Sequence, residues 1–326
     1  MLRGQYDVLT RREPIAGLVA AKTTDAGLKI RLERALDARR FASRELGLPD
    51  NESYTEFADL NRPYALWNVF ATPEFSLQPK EWCYGLVGCL AYRGYYDLPR
   101  AEKMAATLRA QGHDVYVAGV PAYSTLGWFN DPLLNSMLHW TDDVLAGTIF
   151  HELAHQQLFV KGDTAFNESF ATFVEEQGLR QYLRDAPELA QAAAQKRQRY
   201  AQLVALVLES RKRLEALYAG TLPDEDKRRA KQSEFERLRR EYAELKRAQL
   251  GGQWNGQGPY DGWMAEEFNN AKLLPFGLYH QWVPAFSALF RESGNDWARF
   301  YRAAETLSEL EPPARLVRLE ELRNSS

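Results

Sequence analysis

The spacing of apolar positions differs between the first and second quarters of the chain. Over residues 14–47 apolar side chains recur at helical spacing, and the pattern breaks at Gly47-Leu48-Pro49, which predicts a helix or a helix pair. Residues 64–130 are instead rich in β-branched and aromatic residues punctuated by Gly and Pro, which indicates short strands. One helix is predicted among these strands, at about 98–111. This part of the chain is therefore expected to be a mixture of α and β.

Helices dominate the pattern after Pro132. One is predicted over about 142–160, with a cap and an acidic first turn at its start, and a second over about 165–183. Near the end of the chain, two or three short helices are predicted to follow a flexible loop. The expected fold class is therefore α+β and predominantly helical.

Two long and highly charged helices are predicted in between, over 188–218 and 224–250. The residues that separate them, Gly220-Thr221-Leu222-Pro223-Asp224, have the composition of a helix–helix turn. Apolar residues recur along both arms, so we expect an antiparallel hairpin that projects from the body of the protein.

Composition and charge exclude several classes of function. The chain is 45% hydrophobic and 26% charged, which suffices for a buried core. A net charge of −3 argues against nucleic acid or an anionic membrane as the main partner. No apolar run reaches the roughly 18 residues of a transmembrane helix. The first residues are polar and basic, so no secretory signal is expected within this chain.

The two cysteines, Cys83 and Cys89, are six residues apart. Along one straight strand they would lie about 20 Å apart, too far for a disulfide. A tight turn at Gly85 and Gly88 would bring them together. Two buried thiols are the alternative, but the paired glycines favour the disulfide, which would indicate an exported protein.

The predicted helix at 142–160 carries the motif His151-Glu152-Leu153-Ala154-His155. Histidines at positions i and i+4 lie on one helical face, about 6 Å apart along the axis, so both rings can reach one metal ion. Glu152 lies at the edge of that face, where it can hold a metal-activated water as general base. A helix with two histidines and no metal is the alternative.

A third ligand is expected from the helix that follows. The segment 161–164 reverses the chain, so that Glu168 should stand opposite His155 in an antiparallel helix pair. Three protein ligands with an open fourth position are typical of a catalytic zinc site. Glu175 lies two turns further along the same face and is predicted to accept a hydrogen bond from a ligating histidine. Its alternative is an ordinary surface acid.

These motifs resemble known metallopeptidases. HELAH together with NESFATFVE is similar to the gluzincin clan, in which HExxH is followed by a glutamate in an N-E-x-x-A context. The stretches YRGYYD, DVYVAGVPAYSTLGWFNDPLL and FNNAKLLPFGLYHQWVPAF resemble a bacterial family of predicted aminopeptidases, over nearly the whole chain. The resemblance implies one Zn²⁺ ion, peptide or protein substrates, and a periplasmic, lipid-anchored protein whose signal precedes this sequence.

The sequence also departs from aminopeptidases of the aminopeptidase N type. The spacer between His155 and Glu168 is shorter, and no G-x-M-E-N segment is present to bind a substrate amine. Exopeptidase and endopeptidase action therefore both stay open.

Three further residues are candidates for the reaction or for substrate binding. Tyr279 is predicted to stabilise the oxyanion, with His280 as the other candidate and aromatic packing as the alternative. Tyr123 lies in a segment that could align a substrate as an edge strand, with a plain strand and turn as the alternative. Asn269 is predicted to bind the substrate backbone or to cap the next helix.

We therefore expect a zincin-like peptidase domain in which a mixed sheet packs beside the metal-binding helix. Two other functions stay open: a zinc amidohydrolase that acts on cell-wall peptides, and a non-catalytic zinc protein that contacts a partner through the hairpin. The single domain is predicted to comprise an α+β N-terminal part, a metal-binding helix pair, a charged hairpin and C-terminal helices, at 1–135, 136–185, 186–250 and 251–326.

Overall fold

A computed structural model describes residues 8, 10–84, 88–122, 130–248 and 258–325, without the side chains of 277–279. Its first part contains strands β1 (Arg12–Pro14) and β2 (Glu56–Ala58) around helices α1 (Ile15–Ala20) and α2 (Ala26–Arg44). The structure thus confirms a helix pair within 14–47. Strand β2 pairs antiparallel with β1 and parallel with β8 (Leu133–Leu134), which gives a small mixed sheet.

The middle part forms two further small sheets. The central strand β3 (Leu66–Pro73) pairs antiparallel with β6 (Arg93–Tyr95) and with β7 (His113–Val120). Helix α3 (Leu98–Ala110) lies against β3 and β7, with Ala101, Ala105 and Leu108 buried. The helix ends before Gly112, whose φ of +81° is the left-handed conformation that glycine adopts without strain.

The third sheet is the hairpin of β4 (Trp82–Tyr84) and β5 (Gly88–Leu90), in which Cys83 pairs directly with Cys89. These two cysteines form a disulfide, as the paired glycines suggested. A Cβ atom on Gly88 would lie 2.7 Å from Cγ of Lys161. The disulfide hairpin therefore packs closely against the turn that joins the two helices of the metal motif.

Those two helices form the centre of the molecule: α4 (Asp142–Gln157) and α5 (Thr164–Tyr182). The prediction that α4 continues to about residue 160 is wrong, because Leu158 adopts an extended conformation. The largest core cluster surrounds the pair. It contains stacked aromatic rings, such as Phe170 and Phe300 with centroids 5.8 Å apart.

The long hairpin consists of α6 (Pro187–Ala219) and α7 (Asp224–Ala248). It does not project freely as expected. Apolar residues of both arms share a core with residues from other parts of the chain, including Leu77, Phe268 and Phe276. The hairpin is therefore docked on the body, and contact with a partner through it stays a prediction.

More helices complete the chain than the two or three that were predicted: α8 (Asp261–Ala265), α9 (Leu274–His280), α10 (Val283–Glu292), α11 (Trp297–Ser308) and α12 (Pro312–Asn324). Helices α10, α11 and α12 pack in the core around α5. The fold is α+β and predominantly helical, as expected, with three small sheets in the described residues rather than one. No helix in the described ranges has the length and hydropathy of a membrane span. The division into four parts of one domain stays a prediction.

Candidate metal centre

Helix α4 carries His151 and His155 on its inner face. The apolar neighbours Ile149, Phe150, Leu153 and Ala154 are fully buried, which fixes this part of the helix in the core. The two rings lie one helical turn apart, and their Nε2 atoms approach to 3.2 Å. The histidines are only 9% and 7% exposed. The two Nε2 atoms, each able to bind a metal ion, therefore lie close together in the interior.

The turn between α4 and α5 sets the position of the third ligand. Gly162 has φ of +82°, which allows the reversal. Asp163 caps α5, because its side chain accepts a hydrogen bond from the Phe166 backbone N–H at 3.0 Å. Asn167 then joins the two helices: its amide donates to the Val160 carbonyl at 2.8 Å and accepts from the Val160 N–H at 2.7 Å. Asn167 thereby fixes the register of the residue that follows it.

That residue is Glu168, which lies opposite both histidines. Its Oε2 atom is 3.4 Å from Nε2 of His151 and 3.5 Å from Nε2 of His155. The ligand atoms of the three residues all lie within 4.8 Å of one another, and Glu168 is 6% exposed. Two imidazole nitrogens and one carboxylate form a donor set that could hold a metal ion.

Glu175 contacts the cluster from one side. Its Oε2 atom lies 3.1 Å from Nδ1 of His151, where it can accept the Nδ1–H and leave Nε2 free as a ligand. Gly147 on α4 makes room for this contact, since a Cβ atom there would lie 3.1 Å from Oε1 of Glu175. The placement matches the expected geometry, while the role of Glu175 in metal binding stays a prediction.

The buried Glu168 carboxylate requires a positive charge beside it. Burial raises the pKa of Glu168, but the neighbouring His155 and His151 outweigh it and lower that pKa to about 2. Burial lowers the pKa of His151, and the hydrogen bonds with Glu168 and Glu175 reverse this, so that it lies well above its usual value. A buried carboxylate thus stays ionised and needs a proton on histidine, or a metal ion, beside it.

Glu152 lies next to this cluster and is half-buried. Burial raises its pKa, His151 and His155 oppose the shift, and Glu168 and Glu175 add to it. A raised pKa suits a carboxylate that accepts a proton and then returns it.

Comparison with known proteins identifies the family of this chain. Residues 1–319 match the model of a family described as Putative aminopeptidase. The chain belongs to this family. A search of curated proteins found no match, and neither did a search of solved structures.

The structure describes the other candidate residues of this aminopeptidase-family chain to different extents. Tyr123 lies outside the described residues. Tyr279 belongs to α9, but its side chain is not described. Nε2 of His280 lies 3.3 Å from the hydroxyl of Tyr200 on the hairpin, and burial lowers the pKa of His280 to about 4.

Asn269 has two structural contacts. Its side chain accepts a hydrogen bond from the Lys272 N–H at 3.0 Å and donates one to the Val115 carbonyl at 3.1 Å. The capping alternative is therefore observed, and the role of Asn269 in substrate binding stays a prediction.

Two tyrosines that the sequence did not mark, Tyr54 and Tyr92, are influenced by the charge of Glu152. Burial is the largest cause of the raised pKa of each, and the Glu152 carboxylate raises both further. Glu168 also acts on Tyr92, whose ring packs 5.5 Å from that of Phe70. Tyr54 belongs to no motif, and Tyr92 begins the stretch YRGYYD, whose family resemblance gave this residue no role.

Proposed function

We propose that this chain is a zinc-dependent peptidase of the gluzincin type. His151, His155 and Glu168 would hold one zinc ion, and Glu152 would be the general base. The observation that carries the proposal is the convergence of three buried ligand atoms within 4.8 Å of one another, two of them on the helix that also carries Glu152. Imidazole and carboxylate ligands suit zinc, and three protein ligands leave a position for water or substrate.

Bound zinc would supply Lewis-acid polarisation of the scissile carbonyl and a lowered pKa of the attacking water. The protein residues do the rest. Glu152 accepts the proton of the water and delivers it to the leaving amine, and its raised pKa favours that return. Glu175 holds the Nδ1–H of His151 and so fixes the tautomer of this ligand.

Membership in a family described as Putative aminopeptidase supports a peptide or protein as the substrate. Action in the periplasm is part of the proposal. The Cys83–Cys89 disulfide supports it, because disulfides persist mainly in oxidising compartments.

The test is Glu152→Gln. This substitution keeps the shape of the side chain but removes the base, so we expect turnover of a peptide library to fall about 10²- to 10⁴-fold. Zinc content should stay at the wild-type level. The matched control is Glu176→Gln, because Glu176 pairs with Arg180 at 3.6 Å and has no role in the mechanism; it should retain wild-type turnover.

Two results would contradict the proposal. Turnover by Glu152→Gln at the wild-type rate would refute the role of the base. A wild-type protein that binds zinc but cleaves no peptide in the library would instead be a non-catalytic zinc protein.

A further inference from the structure

The segment 49–54, part of the connection between α2 and β2, is hydrogen-bonded to the metal-binding helix. The Asn51 amide donates to Oε1 of Gln156 at 2.8 Å, and the Gln156 amide donates to the Ser53 hydroxyl at 3.2 Å. Gln156 is the neighbour of the ligand His155 in α4. This segment is therefore held at a defined position beside the cluster.

A buried arginine secures the same segment from the other side. The Arg39 guanidinium donates to the carbonyls of Ser53 at 2.8 Å, Pro49 at 2.9 Å and Asn51 at 2.7 Å. Arg39 is only 4% exposed. Three charge-assisted hydrogen bonds from one rigid side chain keep the backbone of the segment in place.

Tyr54 ends the segment in an unusual conformation. Its φ is +64°, which is an outlier for a bulky residue, and its N–H donates to the Asp131 carbonyl at 2.7 Å. The side chain is 1% exposed, yet its hydroxyl has no hydrogen-bond partner among the described residues. An unpaired buried hydroxyl is costly, and such strain clusters at functional sites.

The hydrogen bond between Gln156 and Ser53 brings Tyr54, the next residue, to the part of α4 that carries Glu152. Gln156, which holds the segment, lies one helical turn beyond Glu152 on the same face of α4. Burial is the main cause of the raised pKa of Tyr54, followed by the charges of Glu152 and Asp131, while Arg39 opposes the shift. Two carboxylates are therefore the possible acceptors.

We propose that Tyr54 is a positioning residue whose hydroxyl donates a hydrogen bond to the Glu152 carboxylate and orients it toward the metal-ligand cluster. This inference rests on the proposed function, because orienting the Glu152 carboxylate matters for the reaction only if Glu152 is the general base. Hydrogen bonds of this kind are often long before substrate binds and shorten in the complex.

The test compares Tyr54→Phe with Tyr301→Phe in the full chain. Both tyrosines are buried in the same core, but the Tyr301 hydroxyl donates to the Leu46 carbonyl at 2.8 Å. We expect Tyr54→Phe to lower kcat about 10- to 100-fold with KM, zinc content and melting temperature unchanged. Tyr301→Phe should lower the melting temperature and leave kcat unchanged.

The possible failures are distinguishable. Wild-type kcat in Tyr54→Phe overturns the role of Tyr54 and leaves the peptidase proposal intact. A lowered melting temperature with unchanged kcat would assign the hydroxyl to Asp131 instead, which also overturns it. If the zinc-loaded wild type is as inert as Glu152→Gln, the proposed function fails, and the role of Tyr54 fails with it.

Discussion

Two buried polar clusters in this molecule differ in how completely the protein satisfies them. In the first, which we call the lysine cluster, Lys231 of the hairpin donates to Asp114 at 2.6 Å and to the Glu74 carbonyl at 2.9 Å. The Asn270 N–H donates to Asp114 at 2.8 Å, and the Asn270 side chain donates to the Glu74 carbonyl at 2.9 Å. The charge of Lys231 is thus matched by protein acceptors.

The metal-ligand cluster of His151, His155 and Glu168 is equally buried but consists of two imidazoles and one carboxylate. Its three ligand atoms point at one another at 3.2–3.5 Å. Nδ1 of His155 is also buried, without a hydrogen-bond partner among the described residues. Buried charge alone is therefore no sign of function. What distinguishes the second cluster is that three atoms able to bind a metal ion converge on one another, whereas the first is an ion pair with a lysine.

The largest expected effect is on zinc binding. Zinc at 1,000 times its dissociation constant stabilises a protein by about 4 kcal/mol. The substitution His155→Gln removes one of three ligands, so we expect this zinc-dependent gain to be lost. Thermal unfolding of metal-stripped protein with and without zinc measures it. The control is His113→Gln in β7, which should be stabilised by zinc as much as the wild type. If zinc also stabilises His155→Gln as much as the wild type, the ligand assignment is refuted.

Breaking the lysine cluster should affect stability instead. Removing one partner of a buried ion pair costs about 3 kcal/mol at the lower end of the range, and Asp114 is only 16% exposed. We therefore expect Lys231→Met to lose about that much free energy of unfolding in urea, with unchanged zinc affinity. The double variant with Asp114→Asn, which removes the unpaired charge but keeps an acceptor for the Asn270 N–H, should recover part of the loss. Weaker zinc binding in Lys231→Met would contradict the view that the lysine cluster serves stability and only the metal-ligand cluster serves zinc binding.

The smallest expected effect is at the edge of the metal-ligand cluster. Glu175→Gln weakens the acceptor for Nδ1 of His151, and such changes usually lower metal affinity about 10- to 100-fold. Competition with a chelator measures the affinity, and Glu176→Gln is the matched control. If both variants bind zinc as tightly as the wild type, Glu175 is an ordinary acid of the surface.

The sequence predicted the helix pair and the approach of Glu168 to His155 because both depend on local signals. Helical periodicity defined α4 and α5, and Gly162 with Asp163 defined the turn between them. The register also depends on Asn167, whose contact with Val160 spans only seven residues. Short-range chemistry thus sufficed for the ligand set.

Contacts between distant parts of the chain could not be predicted in this way. The lysine cluster joins Lys231 to Asp114, 117 residues apart, and nothing near either residue marks the pair. The hairpin was expected to project because its apolar residues fit an internal helix–helix contact. The same residues also face Leu77 and Phe276, so the pattern alone did not distinguish a free arm from a docked one.

The central claim is that His151, His155 and Glu168 hold one zinc ion. Anomalous diffraction at the zinc absorption edge, from crystals of zinc-saturated protein, tests it most directly. We expect one peak per chain, about 2.0–2.2 Å from Nε2 of both histidines and from an oxygen of Glu168. No peak at this cluster, or a peak at other residues only, would contradict it.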